Sequence, residues 1–125
     1  MSLGLTHFAV GAGAMALVLA VVAPTVRYRA GAMVASGLWA LVPDVHYVVP
    51  GENPLLFGLK HTVVGNLFWF HGAMDAAETG RGSRGMAGLA LGFLVVAVLL
   101  LEARRYLAER DTLAATETTE EPHVR

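Results

Sequence analysis

The chain has 125 residues, 55% of them hydrophobic, and its 9 Lys+Arg against 10 Asp+Glu leave a net charge of −1. Only nine charged residues fall before Glu102, and no soluble domain of this size covers so much apolar surface with so few, so the body is expected in a membrane. Near-neutral charge excludes the basic stripe that nucleic acid requires, and the absence of cysteine excludes disulfides, thiol nucleophiles and Cys-type zinc sites.

The first predicted span covers about residues 5–23 and is uncharged apart from what His7 can carry. It is long enough to cross a hydrocarbon core of about 30 Å. A cleaved secretory signal would want Lys or Arg ahead of a shorter apolar run, so the segment is read as part of the mature chain. Ala23-Pro24-Thr25 ends it, and Arg27, Tyr28 and Arg29 follow as an interfacial anchor. A second helix is expected over 30–49, with Pro43-Asp44-Val45-His46 near its far end, before Pro50-Gly51-Glu52-Asn53-Pro54 breaks the chain.

A third helix is expected over 59–77, spanning or lying partly in the interface, and it carries Lys60, His61, Asn66, His71 and Asp75. The flexible basic loop at Thr79–Gly85 leads into an uncharged fourth span over 85–101. Residues 102–125 are read as a solvated helical stub and a disordered acidic tail, since Thr116–Glu121 cannot bury enough apolar area to order itself. The expected fold is therefore all-α: an integral membrane four-helix bundle, residues 1–101, with a short solvated C-terminal helix and tail. Multi-pass insertion in the cell membrane with both termini cytoplasmic is the favoured topology. The loop charges nearly balance, and they would favour one side clearly if the third helix did not cross.

Ionisable groups inside a span are costly, so each is a candidate functional residue that should face protein. His7 shares a helical stripe with Gly4, Gly11 and Ala14; Asp44 shares one with Gly37 and Ala40; His61 shares one with Gly65, Gly72 and Asp75. In an up-down-up order, His7, Asp44, His46 and His61 would lie at one membrane face. That donor set suits Zn²⁺, Mn²⁺ or Fe²⁺. Asp44 and His46 can face one site only if the helix loosens after Pro43, because i and i+2 stand about 200° apart. His71 and Asp75 form a second pair at i, i+4, suited to metal ligation or to a hydrogen-bonded couple, and Asp75 would stand about 21 Å from His61 along a straight helix. Interfacial histidines bonded to backbone or headgroups, and an Asp44 that only ends a helix, remain open alternatives. Gly88 and Gly92 suit helix packing, or a homodimer contact.

The succession Thr6-His7, Pro43-Asp44-Val45-His46, His61-Thr62 and His71-Gly72-Ala73-Met74-Asp75, with Gly80 after it, resembles a bacterial and archaeal family of small membrane-bound, metal-dependent hydrolases. Lys60-His61-Thr62 stands where that family has a fuller His-Arg-Gly-x-Thr-His-Ser motif, and the interval from His61 to His71 is shorter than the family's. The resemblance implies a metal-dependent hydrolase whose metal-site residues would be His7, Asp44, His46, His61, His71 and Asp75. A hydrolase of this kind would use a metal-bound water to attack an ester or phosphoester of a lipid-like substrate, with a spare carboxylate as base. Two other readings compete with it. One is a non-enzymatic membrane subunit or stabiliser whose His and Asp residues are structural; the other is an ion or proton pathway, for which only Asn66 and His71 lie at mid-depth.

Overall fold

The computed structural model describes residues 4–42, 73 and 83–119. Among these the chain forms three long helices and no strand: α1 (Gly4–Val22), α2 (Arg29–Ala40) and α3 (Ser83–Thr119).

α1 forms because Gly4–Val22 has neither a proline nor a charged side chain to interrupt it. It ends in a turn in which the Val26 amide donates to the Ala23 carbonyl across Pro24 and Thr25, proline presetting the φ that a turn requires. α2 reaches its C-cap at Leu41, whose amide donates back to Leu38. Pro43, two residues on, lacks an amide hydrogen and would clash with a carbonyl of the preceding turn, which explains the stop.

α1 lies between the other two helices. Its contact with α2 is antiparallel, since Gly4 approaches Leu41, Phe8 packs on Gly37, and Gly11 meets Ser36, Gly37 and Ala40. A Cβ at Gly11 would stand 2.7 Å from the Ser36 carbonyl oxygen, so glycine is what lets the two backbones come this close. The Ser36 hydroxyl donates to the Gly11 carbonyl at 2.8 Å in the same buried contact. The contact with α3 is parallel: Gly13 sits against Phe93 and Leu94, and Ala16, Ala20, Ala97 and Leu101 make a buried cluster one to two turns further on.

These directions correct the expected four-helix bundle. The described residues contain three helices, and the last runs parallel to the first. Four successive crossings would have made them antiparallel. The last span continues past Glu102 as expected, so that α3 is one rod of 37 residues, about 55 Å long, but it remains helical to Thr119, into the stretch expected to be a disordered tail. No glycine or proline interrupts the stretch after Leu101, and its Ala, Leu, Glu and Arg residues are strong helix formers. Thr112 and Thr116 remain helical by donating their hydroxyls to the carbonyls of Ala108 and Thr112.

Among the described residues two helices are long and apolar enough to cross a membrane, α1 and the apolar part of α3. The outward side of α3 leaves Leu89, Val95, Val96, Leu99 and Leu100 exposed, with Leu99 at 64%. A solvated monomer seldom presents an apolar face of this kind, whereas lipid covers it at no cost.

Candidate functional site

Of the six predicted ligands, His7 lies in α1; Asp44, His46, His61, His71 and Asp75 lie outside the described residues. His7 is 0% exposed. Its position one turn from both Gly4 and Gly11 places it on the stripe that meets α2, between the levels of Gly37 and Leu41. Thr6 precedes it at 1% exposure, and its hydroxyl has no hydrogen-bond partner among the described residues. Two adjacent polar side chains are thus withdrawn from solvent in the first turn of an otherwise apolar helix. Their depth corresponds to the last turn of α2, and Asp44 follows three residues after Leu41 in the sequence. No group of three or more His, Asp or Glu side chains able to hold a metal occurs among the described residues.

The opposite end of α1 carries a second polar constellation. Arg29, at the start of α2, donates from Nε to Glu102 Oε1 at 2.9 Å, and Arg105 reaches Glu102 Oε2 at 3.5 Å. Arg105 also donates to Glu109 at 2.7 Å, and that bond with the neighbouring carboxylate charges raises its pKa above the usual arginine value. Arg104 donates to the Ala20 carbonyl at 3.3 Å, satisfying an acceptor that the end of α1 leaves open. Arg27 lies over the Tyr28 ring, 5.5 Å from its centroid. The belt forms where apolar sequence stops on two helices at once, after Val22 in α1 and after Leu101 in α3. Sequence reading identified the Arg27–Arg29 anchor but missed Glu102 as its partner; the available signal was an acid placed directly after an uncharged run.

Between α2 and α3, over the surface of α1, this belt opens into a groove of about 510 Å³. Its rim is Arg27, Arg29 and Glu102; its walls include Met33, Leu94 and Val98, with Ala12 beneath.

The chain matches no protein-family model, no curated protein and no solved structure.

Proposed function

We propose that the chain is a multi-pass integral membrane protein with a polar, metal-binding His/Asp site at the face where α1 begins, acting as a metal-dependent hydrolase on an ester or phosphoester of a lipid-like substrate. The observation that carries the reading is the complete burial of His7 on the stripe that packs against α2. An imidazole withdrawn from both lipid and water in a small helical protein needs a protein or ionic partner there. The donor chemistry fits a divalent ion: imidazole from His7 and His61, with Asp44 and His46 supplying carboxylate and further imidazole, suits Zn²⁺, Mn²⁺ or Fe²⁺. Such an ion, when bound, supplies Lewis-acid activation of water. His7 would act from a rigid helix and thereby fix one donor; a spare carboxylate would take the proton from the attacking water. The motif resemblance supports the same class. Its discriminating experiment is metal analysis of the purified protein by plasma mass spectrometry. Stoichiometric metal in the wild type, lost in His7→Ala, Asp44→Ala and His61→Ala but kept in His71→Ala, is expected. Metal lost only in His71→Ala would move the site to the His71–Asp75 pair.

Orientation belongs to the same proposal. Arg27, Arg29, Arg104, Arg105 and Arg110 gather at one end of the parallel α1 and α3, while Arg84 lies at the other end. Positive charge favours the cytoplasmic side, so the carboxyl-terminal end of α3 is assigned to the cytoplasm and the amino terminus to the opposite face. This revises the expectation that both termini share a side.

A second reading is a non-enzymatic subunit or stabiliser. It is favoured by the part of α3 beyond Glu102, which extends about 25 Å further and leaves Tyr106, Leu107 and Leu113 exposed. A wild-type protein free of metal would support it. A homodimer through Gly88 and Gly92 accords with either reading, since a Cβ at these positions would meet nothing within 4 Å.

A further inference from the structure

The groove between α2 and α3 opens at the end of α1 opposite His7 and runs down as far as Phe8. Its polar and apolar parts are separated along the helix axes. Arg27, Arg29 and Glu102 form the mouth. About one turn deeper come Met33 and Val98, and Leu94 lies about 12 Å below Glu102 along α3. Ala12 forms the floor at 3% exposure, and the small Ala30 leaves the α2 side open. A volume of about 510 Å³ lies within the range of roughly 300–1,000 Å³ usual for small-molecule sites.

The mouth has an excess of positive charge. Glu102 already accepts from Arg29 and Arg105, so its carboxylate is committed. Arg27 is 5.5 Å from the Tyr28 ring centroid, and no ion pair holds it among the described residues. Its guanidinium therefore stands at the interfacial level with its donors directed at no carboxylate of the described residues, and guanidinium forks match phosphate oxygens. Below it lies a channel lined by methyl, methylene and thioether groups, to which water brings no compensating bonds.

From this separation we infer that the groove is a binding site for an anionic phospholipid, its phosphate on Arg27 with Arg29 beside it and one acyl chain lying along Met33, Leu94 and Val98. Charge complementarity selects the anionic headgroup over a zwitterionic one, because Arg27 has no counter-ion among the described residues and a zwitterionic lipid brings its own cation to the same rim. The apolar channel selects a lipid over a free phosphate. The inference rests on membrane insertion as proposed above, and is independent of whether the His7 site holds metal.

The test uses the full chain, first checked for retention in membranes after alkaline carbonate, then reconstituted in phosphatidylcholine vesicles carrying a trace of spin-labelled phosphatidylglycerol or spin-labelled phosphatidylcholine. Electron paramagnetic resonance reads the immobilised fraction of each. The wild type is expected to prefer phosphatidylglycerol about tenfold, the scale of one charge-assisted contact. Arg27→Gln should bring the two lipids near parity, and Ala30→Trp, at an exposed position that fills the groove, should lower immobilisation of phosphatidylglycerol while Arg27 remains. Equal immobilisation of both lipids by the wild type, or an undiminished preference in Arg27→Gln, would overturn the site. Displacement of the labelled lipid by glycerol phosphate at comparable concentration would overturn the acyl-chain half of the inference. Release of the protein by carbonate would instead overturn membrane insertion itself.

Discussion

α1 is held on its two sides by different physics. Toward α2 it presents glycine: Gly11 meets the backbone at Ser36 and Gly37, and a buried hydroxyl bond from Ser36 ties the two helices together. Toward α3 it presents alanine: Ala16 and Ala20 pack on Ala97 and Leu101, and the contact is closed at one end by Arg104 and the Arg29–Glu102 pair. At Gly11 the first contact has no freedom to absorb a change, because what faces it is the Ser36 carbonyl, the Gly37 Cα and the Ala40 Cβ. The second can relax, because what faces Gly13 is largely the ring of Phe93. Close backbone approach is the usual means by which helices associate where lipid is as apolar as their side chains.

This contrast orders the expected losses of stability, read by thermal or denaturant unfolding in detergent. Gly11→Leu should be the most severe, about 3 kcal/mol or more, since overpacking against fixed backbone forces the helices apart. Gly13→Ala should cost about 1 kcal/mol, with Phe93 turning to make room for one methyl group. A larger loss at Gly13 than at Gly11 would reverse the comparison. Ser36→Ala should cost about 1 kcal/mol, the scale of a hydrogen bond within a membrane helix pair. Glu102→Gln should change stability by about 0–1 kcal/mol, and the effect should fade with added salt, because both partners of the pair are substantially exposed.

The parts of this architecture that were legible in the sequence are those encoded locally. An uncharged run ended by Ala23-Pro24-Thr25 specifies α1 and its turn, and the Gly85–Leu101 run specifies the apolar part of α3. The spacing of His7 from Gly4 and Gly11 specifies its stripe. Helix direction was not legible, because it depends on how many segments cross between α2 and α3, and the 59–77 stretch mixes Lys60, His61, Asn66, His71 and Asp75 with aromatic residues in a way composition does not resolve. The ion pair of Arg29 with Glu102 joins residues 73 apart, and no local pattern announces it. The groove escaped for the same reason, being made of three helices that become neighbours only on folding. The five candidate ligands from Asp44 to Asp75 lie outside the described residues, so their convergence on His7 rests on sequence pattern and on the level at which α2 ends.

The parallel course of α1 and α3 is the central structural claim, and the absence of native cysteine makes it, together with the proposed cytoplasmic placement of the arginine belt, directly testable. Single-cysteine variants Ser2→Cys and Thr118→Cys would be labelled with a membrane-impermeant maleimide, in intact cells and in inverted vesicles. Ser2→Cys should react in intact cells and Thr118→Cys only in inverted vesicles. Both cysteines reacting from the same side would contradict the parallel arrangement and the orientation built on it.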